Sequence, residues 1–563
     1  MMKKITGSES IMEVLVREGV KIIFGYPGGA IMPIYDALHG YSKKITHILT
    51  RHEQGAIHAA QGFSRVSGKV GVCLATSGPG ATNLITGLAD AQIDSTPLVC
   101  ITGQVPSHLL GTDAFQESDV IGISMPVTKW NHQITNAKEI PEIMSKAFYI
   151  AKSGRPGPVL IDITKDAQFE KISFEYKKCN KIRSYHPYPI LNKNSIIKAS
   201  EIINKSKKPL ILVGQGVLLS NAENELIQLS EKTGIPMAST LLGLSAISCN
   251  HKNYVGYLGM HGNYGPNVKT NEADLLIAIG MRFDDRVTGD TSRYGINAKV
   301  IHIEIDQSEI NKIIKTDVAI NADAKEALVN LLPLLKSNNY KKWINEFKKC
   351  DKIEFNKVTK KELNHKGKGI KMSEVIHLIS DITKGESIIV TDVGQHQMIT
   401  SRYYKFSKPK SNVTSGGLGT MGFALPASMG AKLGQPNREV IAIIGDGGIQ
   451  MTIQELATIS QFDIGVKIII LNNSFLGMVR QWQELFFENR YSFTEMKNPN
   501  FQKIAEGYGI KNKKVEIKSK LKNSIKEFLD YKKAYLLEIV VEKEENVFPM
   551  VTSGDSVSNI RLE

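Results

Sequence analysis

Short apolar runs alternate with amphipathic stretches along most of the chain. From Ile5 to about Lys165, the runs Ile22 to Phe24, Val70 to Ala75, Pro97 to Thr102 and Pro158 to Ile163 are separated by stretches such as Ser10 to Glu18. Apolar runs of this kind predict strands covered on both faces, and the helical stretches between them predict that the strands lie parallel. Thr6-Gly-Ser-Glu-Ser-Ile11 has the form of a helix start. The charged stretch Asp166 to Tyr188 breaks the pattern and reads as a linker. The pattern resumes with Pro209 to Gly214, Asp274 to Gly280 and Lys299 to Ile305, and stops again at a lysine-rich linker, Lys336 to Lys371, expected to be partly helical. A third set of strands is expected at Ser387 to Thr391, Val440 to Ile444, Val466 to Leu471 and Ala534 to Val540. The fold class is therefore α/β: three successive doubly wound parallel-sheet domains over residues 1–165, 190–335 and 372–545, with a tail at 546–563.

Composition narrows this picture. The 563 residues, 42% hydrophobic, are too many for one core, in keeping with several domains. The net charge of +14 comes from widely spread lysines and arginines. No basic stripe interleaved with aromatics appears, so no nucleic-acid partner is expected. The five cysteines are far apart and form no CxxC pair, which supports neither a disulfide framework nor a zinc site. No apolar leader follows Met1 and no segment is long enough to span a bilayer, so a cytoplasmic protein with no membrane contact is expected.

The most informative stretch is Glu439-Val-Ile-Ala-Ile-Ile-Gly-Asp-Gly-Gly448, followed by Val466-Lys-Ile-Ile-Ile-Leu-Asn-Asn473. Each ends an apolar strand in polar residues at the carboxyl edge of a parallel sheet, where such sheets bind ligands. Asp446 and Asn473 could share a hard cation such as Mg²⁺, while Gly445 and Gly447 let main-chain N–H groups approach an anion. Alone, Gly-Asp-Gly is more often a tight turn and Asn-Asn a loop. At this spacing the pair resembles the thiamine diphosphate signature. That resemblance implies Mg²⁺ held by Asp446, Asn473 and the main-chain carbonyl of Phe475.

Thiamine enzymes need a carboxylate on the aminopyrimidine ring. Glu53, in Thr50-Arg-His-Glu-Gln-Gly-Ala56, matches that residue; read by itself it is an acid at a helix N-terminus. The loops Pro27-Gly-Gly29 and Ser77-Gly-Pro-Gly-Ala-Thr-Asn83 resemble cofactor-facing loops, with Pro79 and Asn83 near the pyrimidine. Val393-Gly-Gln-His396 and Ser415-Gly-Gly-Leu-Gly-Thr-Met-Gly422 match further contacts through Gln395, His396, Gly419 and Met421, the last being the apolar residue that bends the cofactor. Because Glu53 and Asp446 lie in different domains, and related enzymes take those domains from different subunits, at least a homodimer is implied.

The segments Gly111-Thr-Asp-Ala-Phe-Gln-Glu117, Met281-Arg-Phe-Asp-Asp-Arg-Val-Thr-Gly289 and Leu476-Gly-Met-Val-Arg-Gln-Trp-Gln483 resemble the acetohydroxyacid synthase family, and the likeness covers nearly the whole chain. It implies decarboxylation of pyruvate and condensation with a second pyruvate or with 2-oxobutyrate, in branched-chain amino acid synthesis. By position, Phe115, Gln116, Met478 and Trp482 would line the substrate pocket, and Arg286 would face a substrate carboxylate through its planar fork. The plainer alternatives are a core aromatic for Trp482 and a surface ion pair with Asp284 or Asp285 for Arg286. The family also implies FAD on the middle domain, at Gly214, Gly216, Met260, His261, Arg282, Asp284, Glu304 and Asp323, with Arg155 reaching in from the first domain. Gly214-Gln-Gly216 departs from the usual run of three glycines. A separate small regulatory subunit is the expected partner. Two rivals are an FAD-free acetolactate synthase, opposed by the Arg282 to Gly289 segment, and pyruvate oxidase, opposed by Trp482 with Arg286.

Overall fold

In the computed structural model, which describes residues 4–563, the long apolar runs become strands that gather into three six-stranded sheets. Residues 1–3, the start of the first expected domain, lie outside the described residues. The first sheet runs, in spatial order, Thr46–Leu49, Ile22–Gly25, Gly71–Ala75, Leu98–Gln104, Pro158–Thr164 and Trp130–Ile134, all parallel. The second runs Tyr254–Tyr257, Met237–Ser239, Pro209–Val213, Leu275–Ile279, Lys299–Glu304 and Val318–Asn321. The third runs Asn412–Thr414, Ile388–Thr391, Val440–Gly445, Lys467–Asn472, Tyr535–Val540 and Lys511–Val515. Both of these are also fully parallel. Each sheet has a central point where the strand order reverses, at Ile22–Gly25/Gly71–Ala75, Pro209–Val213/Leu275–Ile279 and Ile388–Thr391/Val440–Gly445; in the first and third sheets it turns back again at the far edge. Beyond the carboxyl ends of such strand pairs the outgoing loops diverge and leave a crevice.

The first helix, Gly7–Arg17, is capped by Thr6 and Glu9 in a reciprocal capping box. Two stretches that read as linkers are more structured than their charge suggested. Lys171–Ser173 pairs antiparallel with Lys4–Thr6 and ties the segment after the first sheet back to the chain start. Within the lysine-rich segment, helix Lys341–Glu354 buries Trp343, Phe347 and Cys350. Spaced four and three residues apart, these share one helix face, and the lysines cover the other.

The middle sheet has its own apolar core, whereas the inner faces of the first and third sheets share one cluster. Its centre is the crossing of helix Glu53–Ser67 with helix Ala424–Gly434. A Cβ on Gly62 would stand 1.9 Å from the carbonyl oxygen of Ala427, and one on Gly430 would stand 1.7 Å from that of Ala59. The two main chains touch with no side chain between them, which only glycine permits. Among the described residues no helix is long and apolar enough to cross a membrane, and all five cysteines are free.

Candidate active site

Strand Val440–Gly445 delivers Asp446 to the start of a short helix, and the adjacent strand Lys467–Asn472 delivers Asn473; the register sets Gly445 opposite Leu471. Asp446 is 1% exposed, and burial pushes its carboxyl up. That effect is opposed by the side chain of Asn498, which donates to Oδ2 at 2.7 Å, and by main-chain N–H groups of Asn473 and Ser474. Asn498 also donates to Asn472 Oδ1 at 3.0 Å, so it bridges the two strand ends. Nothing in its sequence surroundings marks Asn498, and the sequence reading missed it. Asn473 Oδ1 accepts from the N–H of Phe475 at 3.2 Å, and its Nδ2 approaches Gln395 Oε1 at 3.5 Å.

His396 is buried, with its pKa lowered to about 4 by burial, and its Nε2 has no partner among the described residues. Its ring lies 3.0 Å from where a Cβ on Gly445 would stand, so a larger residue there would press on the histidine at the strand end. An unpartnered ring nitrogen at this edge leaves one hydrogen bond for a ligand to complete, given to an anion when the proton sits on Nε2. Asp392, another residue that sequence reasoning missed, ends strand Ile388–Thr391. It is pushed up to about 7 by burial and accepts the N–H of Gly422 at 2.9 Å and that of Val393 at 3.0 Å. A Cβ on Gly448 would fall 2.1 Å from its Oδ2. Asp392 thus fixes the loop that carries Met421 against the Gly-Asp-Gly turn. The same loop is gripped from the first domain: Asp94 accepts the N–H groups of Gly416 and Gly417, both at 2.8 Å, and Arg65 pairs with Asp94 at 3.0 Å.

A cavity of about 800 Å³ begins at this loop and extends to the crevice of the middle sheet. Its lining includes Gly419, Met421, Met478, Trp482 and Arg286 together with Gly216, Met260, His261, Arg282, Asp284, Glu304, Asp323 and Arg155. Helix Gly477–Phe486 buries Arg480 and Gln481 and turns Met478 and Trp482 toward the cavity. The buried side is anchored to the tail, since Arg480 bonds Asn546 at 2.6 Å and Gln481 accepts the N–H of Val547 at 2.9 Å. Arg286 is largely exposed, 3.7 Å from Asp285 and 3.8 Å from Met260 Sδ.

Several middle-domain residues have structural duties at this edge. Gly214 does not line the cavity; a Cβ there would meet the carbonyl oxygen of Gly280 at 2.1 Å. Asp284 caps helix Asp285–Thr288, and Asp323 caps helix Ala324–Leu331. Arg155 bonds Asp306 at 3.1 Å and Glu309 at 2.9 Å, bridging the first and middle domains. Glu304 is pushed up to about 7 by burial, while His261, pulled down to about 3 by burial and Arg402, has an unpartnered Nδ1.

The remaining predicted residues form a separate group at the edge of the first sheet. Glu53 opens helix Glu53–Ser67, is 7% exposed, and accepts a hydrogen bond from Asn83 Nδ2 at 2.9 Å. Pro79 begins the neighbouring short helix. Gln116 has a left-handed φ of 57° and lies over Gly78, and Phe115 beside it is 87% exposed. None of these five lines the cavity that Met421 faces.

Three family models match in chain order: the N-terminal TPP binding domain of thiamine pyrophosphate enzymes over residues 5–123, their central domain over 196–331, and their C-terminal TPP binding domain over 392–539. The chain is 45% identical over 555 residues to the acetolactate synthase large subunit of Lactococcus lactis, covering 98% of this chain and 95% of that protein. It is 46% identical over 568 residues to a probable acetolactate synthase large subunit of Methanocaldococcus jannaschii, with the same coverage. It is 40% identical over 571 residues to the acetolactate synthase isozyme 3 large subunit of Escherichia coli, covering 100% of this chain and 99% of that protein.

Proposed function

Because this chain belongs to the thiamine pyrophosphate enzymes, and among them to the acetolactate synthase large subunits, we propose a division of labour among its three sheet edges. Its activity is that of a thiamine-diphosphate-dependent acetolactate synthase serving branched-chain amino acid synthesis. When bound, thiamine diphosphate supplies a carbon nucleophile and an electron sink for decarboxylating a 2-oxo acid.

At the third sheet, Asp446, Asn473 and the Phe475 carbonyl would hold Mg²⁺. One carboxylate, one amide oxygen and one carbonyl form a hard, oxygen-only set that leaves room for phosphate oxygens. Gly445, Gly447 and the unpartnered Nε2 of His396 would meet the diphosphate. Gln395, Gly419 and Met421 would complete the contact. At the first sheet, Glu53 would share a proton with the pyrimidine ring, aided by Asn83 and Pro79. Met478, Trp482, Phe115 and Gln116 would bound the space for pyruvate and 2-oxobutyrate, and Arg286 would draw in a carboxylate.

The observation that carries this reading is the division between the two groups. Met421, Met478, Trp482 and Arg286 share a cavity from which Glu53, Pro79 and Asn83 are absent. We read the two groups as half-sites that a second copy would complete, bringing Glu53 to the Met421 side in a homodimer or larger unit. The cavity of about 800 Å³ that includes the middle crevice, with an unpartnered His261 Nδ1 in its lining, is of the size that takes a large cofactor. We assign it to FAD, held by Arg155, Gly216, Met260, His261, Arg282, Asp284, Glu304 and Asp323, with Gly214, expected among them from the sequence, shaping the turn behind rather than lining the crevice. A small regulatory subunit, as the relatives' name "large subunit" suggests, would be the protein partner.

The test is direct. The purified protein should be yellow, consume pyruvate and release CO₂ without an electron acceptor, and require both thiamine diphosphate and Mg²⁺. A fully active monomer in the ultracentrifuge would refute the shared site, and a colourless active enzyme would refute FAD.

A further inference from the structure

Among the described residues Glu53 receives one side-chain hydrogen bond, from Asn83, and its direction otherwise depends on the turn Leu49–His52 that introduces its helix. That turn is held by the third domain. Helix Glu455–Gln461 runs beside it, and three of its side chains, three residues apart along one face, reach the turn. The N–H of Arg51 donates to Glu455 Oε1 at 3.0 Å. Thr458 Oγ1 donates to Glu455 Oε2 at 2.7 Å and lies 3.3 Å from the carbonyl of Leu49. Gln461 Oε1 accepts from Arg51 Nη2 at 2.6 Å. Glu455 is wholly buried, and a Cβ on Gly55 would fall 2.4 Å from its Oε1, so the first turn of the Glu53 helix lies directly on this carboxyl. Burial pushes the Glu455 carboxyl up to about 7, against the pull of Thr458 and the Arg51 N–H.

We propose that Glu455 is a positioning residue: through the main chain at Arg51 it sets the direction in which Glu53 leaves its helix. The proposal rests on the assignment of Glu53 to the thiamine ring. It also explains a feature of the chain order, because helix Glu455–Gln461 follows almost directly on Asp446–Met451. The segment that bears the metal carboxylate therefore continues into the one that grips the Glu53 turn.

The test compares Glu455→Ala and Glu455→Gln in the holoenzyme loaded with thiamine diphosphate and Mg²⁺. The measurement is hydrogen–deuterium exchange at the thiazolium C2 by quenched-flow NMR, with FAD content and the KM for pyruvate followed alongside. Glutamine keeps the size and one oxygen for the Arg51 N–H; alanine keeps neither. We expect Glu455→Ala to slow exchange by roughly tenfold or more, as a displacement well under 1 Å would. FAD content and KM should stay unchanged, and Glu455→Gln should restore most of the rate. A folded Glu455→Ala holoenzyme that exchanges at the wild-type rate overturns the proposal. If Glu455→Ala fails to fold, Thr458→Val, which removes the hydroxyl that holds Glu455 beside the turn, should slow exchange by a few-fold, and a wild-type rate there overturns it equally. Glu53→Gln measured in parallel separates the two levels. Wild-type exchange in that variant defeats the assignment of Glu53 itself, whereas slow exchange there beside an unaffected Glu455→Ala defeats only the positioning role.

Discussion

Gly62→Ala adds a single methyl group, and the structure specifies what it meets. The new Cβ would stand 1.9 Å from the oxygen, 2.6 Å from the carbon and 2.9 Å from the Cα of Ala427. All three are main-chain atoms inside helix Ala424–Gly434, so no side chain can swing aside. Ordinary contact needs about 3.5 Å, and the helices must part by roughly 1.5 Å to provide it. Overpacking of this kind costs about 1–3 kcal/mol. The larger effect should be on catalysis, since Glu53 is the first residue of the displaced helix. A misplacement of about 1 Å at a catalytic group lowers the rate on the order of 100-fold. Steady-state kcat at saturating thiamine diphosphate, Mg²⁺ and pyruvate measures this loss, with FAD content as the control, because the middle domain has its own core. A Gly62→Ala enzyme with kcat within a few-fold of wild type and an unchanged unfolding midpoint would refute the argument.

Asp446→Ala should weaken binding of Mg²⁺ and thiamine diphosphate together, since it removes the charged ligand of the oxygen set; unchanged cofactor affinity in a titration would exclude that role. Trp482→Leu should lose much of the preference for 2-oxobutyrate over pyruvate while still forming acetolactate, because burying the extra methyl group contributes about 1 kcal/mol. A competition assay with an unaltered product ratio would reduce Trp482 to a packing residue. Glu362, buried beside Tyr403, is pushed up to about 7 from 4.5, mainly by burial. The folded chain thus holds this proton to higher pH than the unfolded chain does, so the group's contribution to stability is greatest below about 4.5 and falls as pH rises to about 7. Glutamine stays neutral, and the unfolding midpoint of Glu362→Gln relative to wild type should therefore climb between those values and then level off; a flat difference would contradict it.

The elements visible in the sequence were those whose cause is local. Val440–Gly445 and Lys467–Asn472 are continuous apolar runs that end in Gly-Asp-Gly and Asn-Asn, and both the strands and their polar ends were legible from that alone. The Thr6 cap was equally plain. Contacts made across the chain were not legible. Glu455 at the Glu53 turn and Asp94 on Gly416 and Gly417 each join residues more than three hundred positions apart, and an isolated acid carries no mark of its distant partner. The lysines of 341–354 hid a narrow stripe of Trp343, Phe347 and Cys350, because average charge outweighed spacing. In the middle domain, one pattern had two causes. Gly214 is required by the backbone of Gly280, and Asp284 and Asp323 cap helices, whatever ligand they also meet.

The glycine contacts between helices Glu53–Ser67 and Ala424–Gly434 also fix a timetable for synthesis. The inner face of the earlier helix, with Ala56, Ala59, Ala60 and Phe63, belongs to a core completed by residues such as Ala424 and Ala427. At ordinary elongation rates those residues leave the ribosome on the order of 20–70 seconds later. During that interval the whole middle domain emerges and can close its separate core, while the first sheet waits with one apolar face uncovered. A nascent chain arrested before residue 424 is thus a species that chaperones should hold, and the first domain cut out by itself should be sticky rather than soluble.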